Sequence, residues 1–400
     1  MEDENKAKCD FCGKDESEVY IIKGAKASIC DECVLTCNEI IRDNVKSEPG
    51  KQKKTAPTPH EIKTALDRVV IGQEYTKKVL SVSVANHFQR IYGHNNVRVD
   101  KSNILLVGPT GSGKTYVARA LAEYLKVPFA ITDATGMTEA GYSGDDVDSV
   151  LSSLLWNAQG DVENAQRGIV YIDEIDKIAK RHANMGHRDV SGEGVQQALL
   201  KILEGSVLSI PMSPNKRKMG GQNTVQIDTT NILFICGGSF DGLDEEIMRR
   251  KTKNVIGFSQ SGKITSEEAQ HMEIEADDLV QYGLIAEFVG RLPIVSRLEK
   301  LNVDDLRRIL TEPDNSIVAQ FTEVFKNKGV NLKFEEDALH NIANRAYESG
   351  TGARGLRRYL EKILLDFQYD IETMNVSELV VTSGMVDEEL DKGKTKTITA

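Results

Sequence analysis

Gly108-Pro109-Thr110-Gly111-Ser112-Gly113-Lys114-Thr115 follows directly on the apolar run NILLV (Asn103 to Val107) and opens the helical stretch KTYVARALAEYL (Lys114 to Leu125). The pattern is G-x-x-x-x-G-K-[ST], set between a strand and a helix, where glycines let backbone N–H groups wrap a phosphate chain at a helix N-terminus. Lys114 supplies a cation for the outer phosphates, and the Thr115 hydroxyl is a ligand for Mg2+. Gly108 to Thr115, with Tyr116 next along the helix, is therefore the expected binding run for ATP and Mg2+.

A second apolar strand ends in acid, at Ile169-Val170-Tyr171-Ile172-Asp173-Glu174. Asp173 then stands at a strand's C-terminal end, where a Mg2+ carboxylate belongs, and Glu174 beside it can polarise water. Alone this would be a common solvated chain end; beside the phosphate loop it points to a hydrolase. NILLV, GIVYI (Gly168 to Ile172) and NILFIC (Asn231 to Cys236) are short buried-strand runs alternating with helical patterns, which predicts an α/β fold with a mainly parallel sheet covered on both faces. We expect this domain to span residues 60–301.

After Leu301 amphipathic helices take over. The clearest carries Leu356, Leu360, Ile363, Leu364 and Phe367 on one stripe. A smaller, mostly α-helical domain is expected over 302–386, closed by the strand-like Leu379 to Val381, with a frayed polar tail at 387–400. Upstream, KSEPGKQKKTAPTP (Lys46 to Pro59) reads as a solvated linker over 46–59. Two arginines stand out. Arg291 lies between the apolar GLIAEFV and Pro293, as suits a charge offered to a neighbouring subunit's γ-phosphate. Arg354 begins the amphipathic helix and can report nucleotide state by swinging the small domain. Taken alone, each reads by default as a surface ion pair.

Of six cysteines, five fall in the first 40 residues. Cys9-x-x-Cys12, seventeen residues, then Cys30-x-x-Cys33 is the spacing of a four-thiolate zinc site. A unit of residues 1–45 is too short to bury a sufficient core, and a structural Zn2+ supplies the missing stabilisation. Cys37 is a surplus thiol and Cys236 a core residue. Such ribbons bind nucleic acid or protein, and the spacing does not choose between them.

The chain of 400 residues carries 61 acidic and 50 basic residues, a net charge of −11. That balance disfavours nucleic acid as the main partner, because phosphate-backbone binding runs on Lys and Arg. No run approaches the roughly 18 apolar residues of a membrane span, and the first residues lack an apolar leader core. The expected location is the cytoplasm.

The phosphate loop, YIDEIDKI (Tyr171 to Ile178), the zinc knuckle and RDVSGEGVQQALLKILEG (Arg188 to Gly205) together resemble the ClpX family, over about Cys9 to Val386. The resemblance implies an AAA+ P-loop ATPase that forms a homo-hexameric ring, recognises tagged or unfolded proteins, threads them through its pore and delivers them to the ClpP peptidase, with adaptors received on the zinc unit. It also assigns residues. Val70 and Ile71 match the adenine pocket, Lys114, Thr115, Asp173 and Glu174 the catalytic core, Arg291 the arginine finger and Arg354 the sensor arginine. Tyr142 matches the gripping residue of the pore loop, in Gly-Tyr-Ser-Gly where Gly-Tyr-Val-Gly is usual. Arg217 and Lys218 match the pore entrance loop, with Met219 in place of histidine. Ile256, Gly257 and Phe258 match the tripeptide that docks ClpP. A nucleic-acid-directed AAA+ ATPase with a zinc ribbon is the alternative.

Overall fold

The computed structural model describes residues 7–24, 26–37, 56–93, 100–137, 147–179, 190–211, 224–253, 272–371 and 376–391. The chain divides into two units, Met1–Thr55 and Ala56–Ala400.

In the first unit, β1 (Ile21–Lys23) pairs antiparallel with β2 (Ser28–Cys30), Ile21 opposite Cys30. Residues 31–37 continue as a helix. Among the described residues of this unit only Cys9 and Cys30 are buried. Its interior is thus sulfur, not hydrocarbon, as expected for a fold too small to be held by apolar burial.

The second unit opens inside the stretch expected as linker. Pro59 is the first residue of the helix Pro59–Asp67, and Thr58 caps it in a reciprocal box with Glu61. Proline suits a first helical turn because its missing N–H would be unpaired there anyway. Beyond it, β3 (Ile104–Val107), β4 (Phe129–Asp133), β5 (Ile169–Asp173), β6 (Val207–Pro211), β7 (Thr224–Asp228), β8 (Leu233–Gly238) and β9 (Ile294–Arg297) follow in chain order. Five of them form one parallel sheet in the order β4-β5-β8-β3-β9. β6 and β7 form a separate antiparallel pair.

The pleat sorts the side chains of the sheet into two cores. Leu105, Val107, Val170, Ile172, Phe234 and Cys236 join one face, while Ile104, Leu106, Ile169, Tyr171, Leu233 and Ile235 join the other. Burial on both faces explains why these strands read as continuous apolar runs. Cys236 is fully enclosed, and burial pushes its thiol up to about 12.

A third core gathers Leu306, Leu310, Phe321, Phe325, Ile342, Leu356, Leu360, Ile363 and Leu364. The helix Ala353–Asp370 supplies the predicted stripe, and β10 (Asn331–Phe334) pairs in parallel with β11 (Glu378–Val381). The expectation of a frayed tail from 387 is corrected for residues 387–391, because Ser383–Asp391 is a helix. Its Val386 and Leu390 are buried in this core. Arg345 binds both Asp387, at 2.6 Å, and Asp391, at 2.9 Å. Acids that look solvated in the sequence thus meet one cation brought over by the fold. No described helix is long and apolar enough to cross a membrane.

Gly237 sits where β8 passes over the enclosed Tyr171. A Cβ added there would meet the Tyr171 hydroxyl and stand 2.8 Å from Cζ. Because Tyr171 is fully buried it has nowhere to go. Gly237→Ala should therefore cost about 1 to 3 kcal/mol by overpacking, whereas Gly136→Ala, which enters open space, should stay within about 0.5 kcal/mol of wild type. Denaturant midpoints of the two variants check this, and equal midpoints would refute it.

Candidate functional site

In a parallel sheet every strand ends at the same edge, and ligands lie outside those carboxyl ends. The phosphate loop leaves β3 at that edge, beside β8, with Val107 paired to Gly238. The Lys114 side chain is 9% exposed and folds back over the loop, its ammonium donating to the carbonyls of Gly108 at 2.6 Å and Pro109 at 3.0 Å. Burial lowers its pKa, with Asp173 and Asp176 opposing that shift. The Ser112 hydroxyl is buried and lacks a partner among the described residues. A buried cation and a buried unpaired donor on a glycine loop fit a polyphosphate, which accepts from both.

Asp173 ends β5 and accepts from the Thr115 hydroxyl at 2.9 Å on Oδ2. Its Oδ1 accepts from the Glu174 N–H at 3.0 Å and from the Tyr171 hydroxyl at 3.3 Å. A hydroxyl from the first turn of the helix after the phosphate loop and a carboxylate from the end of β5 form an oxygen pair of the kind that holds Mg2+. Glu174 adopts φ 55, left-handed and uncommon for a residue with a Cβ. It is exposed and lines the same cleft as Lys114, Thr115 and Asp173.

The cleft has a volume of about 480 Å3. Val70, Ile71, Tyr116 and the loop from Thr110 to Gly113 line it, together with Leu301, Ile309, Pro313, Ile317 and Arg354 from the helical part. Apolar walls at one end and the phosphate loop at the other match an adenine joined to a triphosphate. Gly111 has φ 81, and a Cβ there would stand 2.8 Å from the Thr351 carbonyl oxygen. Only glycine lets the phosphate loop and the segment leading to Arg354 approach so closely.

Among the lining residues that escaped the sequence reading are Asp176, Ser239 and Asp241. Asp176 is buried and accepts from the Ser239 N–H at 3.2 Å and its hydroxyl at 3.0 Å, with Asp241 beside them in the cleft. The signal was available, since Ser239 and Asp241 follow an apolar strand just as Asp173 ends one. Gln73 was also missed. Its buried amide accepts from the Glu299 N–H at 2.9 Å and donates to the Glu299 carbonyl at 2.8 Å, gripping the segment that leads from β9 to the helical part.

Arg291 does not reach this cleft. It follows the short helix Ala286–Gly290 and pairs with Glu204 at 2.6 Å. Tyr142, Arg217, Lys218, Ile256, Gly257 and Phe258 lie outside the described residues.

In the first unit, the sulfurs of Cys9, Cys12, Cys30 and Cys33 all lie within 4.8 Å of one another, and those of Cys12 and Cys30 are 3.5 Å apart. Tetrahedral zinc with bonds of about 2.3 Å requires sulfur separations of about 3.8 Å, so the four thiols fit the ion. The Cys30 N–H points to the Cys9 sulfur at 3.2 Å, and the Cys33 N–H to the Cys30 sulfur at 3.4 Å. Such donors stabilise thiolates. Cys37 is not part of the cluster.

Comparison with known proteins agrees with this geometry. Residues 99–295 match the AAA domain (Cdc48 subfamily), residues 301–370 the C-terminal, D2-small domain of ClpB protein, and residues 7–43 the ClpX C4-type zinc finger. The fold and site define an ATPase of the AAA class that binds ATP with Mg2+ and carries a structural zinc finger; it is not itself a peptidase. Among curated proteins, the ATP-dependent Clp protease ATP-binding subunit ClpX of Treponema denticola is 47% identical, covering 97% of this chain and 96% of its own length. Its counterparts in Borrelia duttonii and Borrelia recurrentis are each 48% identical, covering 94% of this chain and 90% of their own. The chain belongs to the ClpX family of ATP-dependent unfoldases.

The cleft predicts separable defects. Lys114→Ala should abolish ATP binding, whereas Glu174→Gln should bind ATP and lower hydrolysis by about 10²-fold or more. Nucleotide titration beside steady-state turnover tests both, and normal turnover in Glu174→Gln would remove the water-activating assignment. In the zinc unit, Cys9→Ser should lose the metal and unfold that unit, while Cys37→Ser should retain one zinc per chain. Metal analysis decides, and zinc loss in Cys37→Ser would show the ligand set to be wrong.

Proposed function

We propose that this chain assembles as a homo-hexameric ring in the cytoplasm, recognises tagged or unfolded proteins, and uses ATP to unfold them and thread them into the ClpP peptidase. The observation that supports it best is the shared cleft, in which the phosphate loop and Asp173 face Arg354 and the apolar residues of the helical part. A cleft with walls from two packed regions converts nucleotide chemistry into relative movement of its walls.

In this reading Val70 and Ile71 receive the adenine, and the loop N–H groups with Lys114 hold the phosphates. Thr115 and Asp173 hold Mg2+, whose charge offsets that of the phosphates when bound. Glu174 orients a water and takes its proton on a carboxylate oxygen. Arg354 reads the phosphates from the helical part, and Arg291 serves the neighbouring subunit. That Arg291 lies outside its own chain's cleft is what a residue acting in trans requires. The corresponding division is a zinc unit at 1–45 that receives adaptors, a linker, an ATPase domain over 60–301 and a small domain from 302, which the last helix carries to Asp391. Tyr142, Arg217 and Lys218 grip and admit substrate, and Ile256, Gly257 and Phe258 dock the peptidase. The nucleic-acid reading is not favoured, given the net charge of −11 and relatives that are Clp protease subunits.

Replacing Ile256 and Phe258 with serine in every subunit tests the peptidase coupling. ATP hydrolysis and release of unfolded protein should persist, and degradation should vanish when ClpP is supplied. Unimpaired degradation would sink the docking assignment, and a wild-type chain that hydrolyses ATP but unfolds no tagged protein would sink the function.

A further inference from the structure

Arg291 is held with more care than a surface arginine needs. Its Nε donates to one oxygen of Glu204 at 2.9 Å, and its Nη2 lies 2.6 Å from the same oxygen. Glu204 is the last residue of the helix Val190–Glu204, so the guanidinium also faces the negative end of a helix dipole. The backbone beneath is fixed separately. Asn103, 1% exposed, spends both amide hydrogens there, donating to the Arg291 carbonyl at 2.9 Å and to the Leu203 carbonyl at 3.2 Å. The loop carrying Arg291 is thereby tied to the end of the helix carrying Glu204, and both are tied to the residue just before β3, the strand of the phosphate loop.

The pair itself adds little to folding, because both side chains are about half exposed, at 51% and 46%, and exposed pairs are weak. Its effect is geometric. A guanidinium is a rigid fork with two usable edges. Glu204 occupies the Nε and Nη2 edge with one oxygen, and Nη1 bonds no described residue. We propose that Glu204 is the positioning residue of Arg291, orienting the guanidinium so that its Nη1 side faces outward to the phosphate of a nucleotide held by the adjacent subunit. The proposal rests on the reading of Arg291 as a trans-acting finger, and assigns Glu204 no contact with nucleotide.

The test is a cycle on the full-length chain, comparing Glu204→Ala, Arg291→Ala and the double variant by ATP hydrolysis over a range of ATP concentrations. Misplacing a group that acts in the transition state costs up to about 10²-fold. Glu204→Ala should lower kcat by about tenfold while leaving KM within about twofold. The double variant should be no slower than Arg291→Ala alone, because Glu204 acts only through Arg291. Glu204→Gln, which keeps an acceptor oxygen at the same reach, should recover part of kcat and guards against a simple folding defect. Wild-type kcat in Glu204→Ala, a faster enzyme, or additive losses in the double variant would each overturn the proposal while leaving the finger standing. Wild-type turnover in Arg291→Ala would instead overturn the finger reading, and the role of Glu204 with it.

Discussion

Everything at the nucleotide cleft depends on the parallel pairing of β3 between β8 and β9. A strand with hydrogen-bonded neighbours on both sides and cores on both faces has no freedom of register. Sliding it by one residue would exchange Ile104 and Leu106 with Leu105 and Val107 between two separate cores and carry the phosphate loop along by roughly 3.3 Å. Parallel pairing also brings the ends of β3, β5 and β8 to one edge. Lys114 with Thr115, Asp173 with Glu174, and Ser239 with Asp241 are therefore neighbours although they are far apart in the chain. The 2.9 Å bond from Thr115 to Asp173 is a local consequence of that larger constraint.

Two of the contacts that join the sheet domain to the helical part engage backbone of that part. Gln73 grips both the N–H and the carbonyl of Glu299, and Gly111 lies against Thr351 and Gly352. Backbone contacts do not adapt by changing rotamer, so displacement at the phosphate loop is passed on to the segment that starts the Arg354 helix. The apolar residues Leu301, Ile309 and Ile317 line the same cleft as Arg354 and the phosphate loop, so the helical part supplies both apolar and charged side chains to it.

The two units solve the problem of stability differently. The larger one buries three apolar cores. The smaller one buries two cysteines among its described residues and gathers four sulfurs, so its cohesion comes from coordinate bonds. Zinc binding in such a unit is folding free energy, and its loss leaves the apolar cores of the larger unit intact.

Features whose physics is local were legible in the sequence. The phosphate loop, the acid at the end of β5, the two Cys-x-x-Cys pairs, the α/β alternation and the stripe of the Ala353–Asp370 helix all rest on spacing within a few residues or on strand and helix periods. What the sequence could not show were partnerships between residues distant along the chain. Acids at 387 and 391 read as a frayed tail, because nothing nearby reveals that Arg345 will neutralise them. Nothing near Gln73 in the chain announces its bonds to Glu299, and the pairing of Asp176 with Ser239 comes from a shared sheet edge. Arg291 carried two readings in the sequence, a finger and a surface ion pair, and the fold shows the pair, to Glu204. Pattern along a chain records which face of an element is apolar, whereas the identity of the group across the gap is decided only when packing sets the register of all the elements together.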